Sequence, residues 1–174
     1  MPEKHPGGIS MTRQLLELSG FSYGRILDMG AGDGHTVRFL HTLGFDATGI
    51  DLSPGDDVLY GDFLNCSFPD ADFDAIISEC AFYISGNPSA AIKEASRLLK
   101  KGGLLLLADV CFTDLQTHRT SLENAGFSIK CLEDITHLWK EYYISCIWNG
   151  TADLLCPRRE KGKCHYYLTV CERI

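Results

Sequence analysis

Apolar positions along this chain fall into two alternating rhythms. Met11, Leu15 and Leu18 recur at helical spacing until Gly20 stops them, which predicts a short N-terminal helix. A compact apolar run, Ile26 to Met29, then reads as a buried strand. It breaks into glycines at alternate positions, Gly30, Gly32 and Gly34, and passes into a second helical pattern carried by Val37, Phe39, Leu40 and Leu43 and ended by Gly44. Phe45 to Leu52, Val58 to Tyr60 and Phe73 to Ser78 read as the next strands. Asn87-Pro88 opens a helix whose buried face is Ala91, Ile92, Ala95, Leu98 and Leu99. Leu104 to Val110 is an apolar run suited to a central strand covered on both faces. A helix from about Asp114 to Ala125-Gly126 and strands at Phe127 to Leu132 and Cys164 to Glu172 complete the series. Strands alternating with helices predict an α/β fold, a Rossmann-like parallel sheet with helices on both faces.

Two stretches depart from a regular alternation. Ser53-Pro54-Gly55-Asp56-Asp57 fills half of the gap between Asp51 and Asp62, leaving no room for a second crossover helix. Between the last two strands, Ile135, Leu138, Trp139, Tyr142, Tyr143, Cys146 and Ile147 follow i, i+3, i+4, i+7 spacing over 135–150, which predicts an amphipathic helix with three large aromatics on one face. Such a helix either packs on the sheet, walls an acceptor pocket, or joins two copies of the chain as a homodimer. A polar loop at 152–163 follows it.

At 174 residues and 45% hydrophobic content the chain is expected to form one domain with one sizeable core. A net charge of -7 argues against nucleic acid as the main partner, because phosphate binding needs clustered Lys and Arg. No run approaches the ~20 apolar residues that cross a bilayer. The first residues lack the apolar core of a signal peptide, so a cytoplasmic location is expected. The eight cysteines never form C-x-x-C and read as free thiols rather than a metal site.

The glycine turn carries the chemistry. A dinucleotide fingerprint would need glycine at position 35, which is His35, and no Gly-Lys-Ser/Thr follows for a Walker loop. Asp28 precedes the turn by two residues; an anion there suits a ligand bearing ammonium or sulfonium charge better than a pyrophosphate. Asp51 ends the second strand 21 residues after Gly30, placed to accept hydrogen bonds from ribose hydroxyls.

The D-x-G-x-G-x-G arrangement at 28–34 resembles motif I of the class I S-adenosylmethionine (SAM) dependent methyltransferases. Gly61-Asp62-Phe63 followed by Phe68 to Ser78 is similar to the G-D-a … l-P-f stretch of the small-molecule enzymes, including the ubiquinone and menaquinone biosynthesis type. Arg97 to Gly103 resembles their R-v-L-k-p-G-G step, with Lys101 in place of the proline. The resemblance covers residues 25 to 110 most strongly. It implies a seven-stranded, mostly parallel sheet with the last strand antiparallel, one domain over 1–174, an N-terminal cap at 1–24 and an insertion at 134–163. It implies SAM as cofactor, S-adenosylhomocysteine as product and a small-molecule acceptor, with Asp28, Gly30, Ala31, Gly32, Gly34, Asp51, Leu52, Asp62, Phe63, Glu79 and Cys80 around the cofactor. In that frame Asp62 meets the adenine amino group, Phe63 packs on the ring, and Glu79, Cys80, Phe82 and Tyr83 face the crevice.

Methyl transfer is an in-line displacement, and holding donor and acceptor at near-attack distance can supply roughly 7 to 11 kcal/mol. A base is needed only if the acceptor must lose a proton. Glu79 is the leading catalytic residue, ahead of His5 and His137, although it could equally orient the methionine amino group. Three other readings remain: a non-catalytic SAM-binding regulatory module, an arsenite-type enzyme using Cys80, Cys146 and Cys156 or Cys164, and an NAD-linked oxidoreductase, which the glycine spacing disfavours.

Overall fold

Side chains along the central strands point alternately to the two faces of the sheet and are buried on both, so each strand feeds two cores. In the computed structural model, which describes residues 5–150 and 164–174, the elements run α1 (Gly8–Ser19), β1 (Arg25–Met29), α2 (His35–Thr42), β2 (Asp46–Asp51), β3 (Leu59–Tyr60), β4 (Phe73–Glu79), α3 (Pro88–Leu98), β5 (Leu99–Cys111), α4 (Leu115–Asn124), β6 (Phe127–Asp134), α5 (Thr136–Trp148) and β7 (His165–Arg173). Ile26, Ala75, Ile77, Leu106 and Ala108 face α1, α2 and α5, where Leu15, Val37, Leu40 and Trp139 meet them. Leu27, Ile76, Leu105 and Leu107 face α3 and α4, against Ile92, Leu98 and Leu122. The period of two that makes a strand amphipathic here gives two apolar faces, hence helices on both sides.

The sheet has seven strands in the order β3-β2-β1-β4-β5-β7-β6. β1 to β5 are parallel where they pair, and β7 runs antiparallel to both β5 and β6. The chain reverses direction of travel between β1 and β4, which opens the crevice at their carboxyl ends where such sheets take ligands. Asn87 and Asp114 cap α3 and α4 as their side-chain chemistry demands: Asn87 Oδ1 accepts from the Ala90 amide at 3.2 Å, and Asp114 Oδ1 from the Thr117 amide at 2.9 Å.

No helix lies between β2 and β3, as the spacing predicts. Residues 61–72 between β3 and β4 are helix-free as well. Arg97 of α3 holds that second link in place. Its guanidinium donates to the carbonyls of Phe68 and Cys66, both at 3.0 Å, and pairs with Asp70 at 2.5 Å and Glu94 at 2.6 Å. β5 begins at Leu99, earlier than the sequence pattern indicates. Leu99 pairs with Phe73 and Leu104 with Ala75, so Lys100 to Gly103 bulge out of one strand instead of preceding it.

His118 on α4 is buried under β7, its Nε2 3.3 Å from Thr169 Oγ1. Burial lowers its pKa from 6.5 to about 4. Between those values the unfolded chain takes up a proton that the folded one refuses. The stability His118 confers is therefore complete above about pH 6.5 and is lost as pH falls toward 4, at up to about 1.4 kcal/mol per pH unit. Urea melts across that window are expected to show a shallower acid loss for His118→Gln than for the parent chain.

Candidate functional site

The glycine turn between β1 and α2 is fixed from beneath and from the side. The amides of Gly30 and Ala31 both donate to the Ile50 carbonyl, at 2.9 and 3.0 Å. Asp51 holds the turn through its carboxylate: Oδ2 accepts from the Gly32 amide at 2.9 Å and Oδ1 from the Ser53 amide at 2.8 Å. The short link after β2 folds back on the same turn, with the Gly55 amide donating to the Gly32 carbonyl at 2.9 Å. Arg38 adds a bond to the Asp33 carbonyl at 2.7 Å and an ion pair to Asp57 at 3.2 Å. Gly30 has φ +90°, and a Cβ built there would overlap the Cβ of Ala81. Only glycine lets the turn pass that close to the loop after β4.

A cavity of about 460 Å³ opens beside the turn. Asp28, Gly30, Ala31, Gly32, Glu79 and Cys80 line it, as does the start of α1. Of the three carboxylates that line it, Asp28 and Glu79 are buried, with the Glu79 side chain 4% exposed, while half-buried Asp33 lies with exposed Arg38 in the outer lining. Glu79 accepts from Thr12 Oγ1 at 3.0 Å and from Thr36 Oγ1 at 3.2 Å, and lies 3.8 Å from His5 Nε2. Burial pushes the Glu79 carboxyl above its usual range. Burial, with the charges of Glu79 and Asp51, pushes Asp28 well above its own. Two confined carboxylates make a cavity that favours a cation.

Beyond Glu79 the chain turns over the edge of the sheet. Cys80 adopts φ +55°, rare for a residue with a Cβ. Its amide donates to the Ala108 carbonyl at 2.9 Å, and its thiol, which burial keeps protonated, donates to the Tyr166 hydroxyl at 3.6 Å. Tyr83 then stands between Trp139 of α5 and Phe112, ring centres 6.4 and 6.3 Å away. Tyr83 and Val110 border two more cavities. One, of about 680 Å³, reaches Trp139, Tyr143 and His165. The other, of about 310 Å³, reaches Phe82, Phe112 and Asp109 on the α3 and α4 side.

Not every residue singled out in the sequence reaches the first cavity. Gly34 is buried as the residue preceding α2, and Asp51 sits behind the turn that it braces. Leu52 is 59% exposed, and Asp62 is exposed with its Oδ1 taken by the Leu64 amide at 2.8 Å. Phe63 packs on Phe82, ring centres 5.7 Å apart, and Phe82 belongs to the core under α3 as well as to the smaller cavity. His5 lies packed against Glu79 rather than in a loose terminus, whereas His137 is exposed. α5 forms, but not as the single-faced amphipathic helix expected. Ile135, Leu138, Trp139, Tyr142 and Cys146 pack inward, while Tyr143, Ile144, Ile147 and Trp148 are exposed, so the buried stripe is narrower than the spacing predicts. Cys156 and the 152–163 loop lie outside the described residues. Among the described residues no group of three His, Cys, Asp or Glu side chains is placed to hold a metal ion.

Thr12, Thr36, Asp109 and Tyr166 were not singled out. The two threonines carry a signal nonetheless: Thr12 shares helical spacing with Leu15 and Leu16, and Thr36 with Leu40, which marks both as inward-facing.

Residues 27–107 match the family model described as a methyltransferase domain. That span holds the glycine turn, Asp51, Glu79 and most of β5. Over that span, just under half of its length, the chain is similar to methyltransferase domains. It is 33% identical over 114 residues to an uncharacterized methyltransferase of Geobacillus sp. (strain WCH70), covering 58% of this chain and 54% of that protein. The chain thus spans about half the length of that curated relative. Among solved structures it superposes on the [4+2]-cyclase SpnF with a TM-score of 0.72 and 21% identity, over 94% of this chain and 79% of that one. It also superposes on geranyl diphosphate C-methyltransferase from Streptomyces coelicolor A3(2), solved with S-adenosyl-L-homocysteine, with a TM-score of 0.72 and 16% identity, over 95% and 79%. These likenesses are of fold, and they run over most of the chain. Among the described residues no helix is long and apolar enough to cross a membrane.

Proposed function

We propose that the chain is a SAM-dependent methyltransferase acting on a small molecule, with the cofactor seated on the glycine turn and its methionine end in the cavity of about 460 Å³. One observation carries the reading. Two buried carboxylates, Asp28 and Glu79, share a cavity with a glycine turn that lets a ligand approach the backbone closely. A zwitterion's ammonium fits Glu79, whose oxygens are already oriented by Thr12 and Thr36. That orientation supports an anchoring role for Glu79 over that of a base. Asp51 presents its carboxylate at the end of β2, one residue's reach from the turn, where it accepts from ribose hydroxyls while bracing Gly32. Asp62 and Phe63 flank the same edge from the helix-free link and serve the adenine end.

When bound, SAM supplies an electrophilic methyl on a positively charged sulfur. The chain's part is to hold that charge beside Glu79 and Asp28, keep water out with the aromatic group around Tyr83, and position an acceptor beyond Cys80. A second reading, a SAM-binding module without methyl transfer, draws support from the likeness to a protein named as a cyclase.

S-adenosylhomocysteine at about 100 times its dissociation constant adds about 2.7 kcal/mol. For a domain of this size that is expected to raise the melting temperature by roughly 5–10 °C, with no shift from NAD. No shift from S-adenosylhomocysteine would overturn the reading. Glu79→Gln keeps the threonine contacts but removes the charge; it is expected to weaken S-adenosylhomocysteine binding by roughly 10- to 100-fold in calorimetry, with little change in melting temperature. Methyl transfer to any acceptor from labelled SAM separates the enzyme from the silent module.

A further inference from the structure

Asp109 ends the run of β5 on the α3 and α4 side of the sheet, 2% exposed. Its parity with Leu105 and Leu107 turns it away from Glu79 and toward the cavity of about 310 Å³. The Tyr83 amide donates to its Oδ2 at 3.2 Å and the Val110 amide to its Oδ1 at 2.8 Å. Burial pushes its carboxyl up to about 7, and the only opposing influences are backbone amides. No basic side chain among the described residues pairs with it. Buried carboxylates in proteins are ordinarily matched by a cation, and the three backbone amides that bond to Asp109, those of Phe82, Tyr83 and Val110, leave acceptor capacity on its two oxygens.

Apolar and aromatic side chains, Phe82, Tyr83, Phe112, Ile92 and Leu107, form much of the lining, with Ser89, Thr117 and Ser121 among its polar residues. His118 at the far wall is held neutral by burial, so it neither competes with nor replaces a cation. Rings beside a carboxylate form a seat for an ammonium group attached to a small apolar body. Only the paired strands β4 and β5 separate Asp109 from Glu79 and Cys80: the Cys80 amide meets the Ala108 carbonyl there and the Asp109 charge acts on the Cys80 thiol.

We propose that this second cavity is the acceptor's anchoring site and that it takes a compact apolar or aromatic amine, its ammonium group held on Asp109 between Tyr83 and Phe112. The inference rests on the methyltransferase reading for the word acceptor, but not for the amine seat itself. An ammonium held there has no lone pair with which to attack a methyl group. The atom that is methylated is therefore another one on the same molecule, reaching past Cys80.

Phenethylamine and its neutral counterpart 2-phenylethanol serve as probes, titrated by calorimetry with and without saturating S-adenosylhomocysteine. The amine is expected to bind at least roughly tenfold more tightly than the alcohol. In Asp109→Asn the preference is expected to shrink to within about twofold, whereas a purely structural role for Asp109 would weaken both probes together. Ser121→Trp fills the cavity from α4 and is expected to remove binding of both; it keeps the test open should Asp109→Asn fail to fold. Equal binding of the two probes by the parent chain, or an undiminished preference in Asp109→Asn, overturns the proposal. An amine preference that persists without any S-adenosylhomocysteine binding would keep the seat and sink the methyltransferase reading instead.

Discussion

Gly30→Ala is expected to abolish measurable S-adenosylhomocysteine binding and to lower the melting temperature by roughly 10 °C. Two costs combine. A residue with a Cβ at φ +90° is strained by about 1–3 kcal/mol. Its Cβ also collides with that of Ala81, which requires a shift of backbone on one side or the other, at about 1–3 kcal/mol more. For a chain of 174 residues each kcal/mol moves the melting temperature by roughly 2–4 °C. Gly44 supplies the control. It has φ +88°, and a Cβ there meets nothing within 4 Å. Gly44→Ala pays the conformational part alone and lies away from the cavity, so it is expected to lose a few degrees and retain the ligand. Differential scanning calorimetry with and without S-adenosylhomocysteine separates the two. Equal behaviour of the variants would mean that the turn does not depend on its approach to Ala81.

Asp51→Ala is expected to weaken S-adenosylhomocysteine binding by roughly 100-fold or more, with a smaller loss of stability. The substitution removes the acceptor for the Gly32 and Ser53 amides at once. Each orphaned donor costs about 1–3 kcal/mol if it stays dry, and water reaches the Ser53 side. The larger effect falls on the ligand, because the turn loses its brace and the ribose its charged acceptor together. Asp51→Asn retains one carbonyl oxygen and is expected to lie between the parent chain and the alanine variant. Calorimetric titration measures both; unchanged affinity in Asp51→Ala would remove the sugar-binding assignment while leaving the cavity's carboxylates in place.

How much of this was written in local sequence depends on the distance over which each feature is decided. β1, the turn and α2 come from residues within a few positions of one another, and so do the caps at Asn87 and Asp114. The missing helix after β2 follows from simple chain length. Features settled by remote partners left weaker traces. Thr12 and Glu79 are 67 positions apart, and no periodicity announces their bond. Asp109 looks like one more residue in an apolar strand until the amide of Tyr83 arrives over it. Tyr143 and Ile147 share helical spacing with Trp139 and yet are exposed, which the spacing alone does not convey. Asp62 and Phe63 match the family's pattern, yet their positions depend on a link held by Arg97 rather than by a helix.

Cys80 sits where those distant decisions meet. Just before it, Glu79 pairs with Ala108 across β4 and β5, so the register of these two strands sets the separation between the Glu79 carboxylate on one face and the Asp109 carboxylate on the other. A molecule spanning both chambers as proposed must match that spacing, which makes the pairing of two strands the ruler for its length.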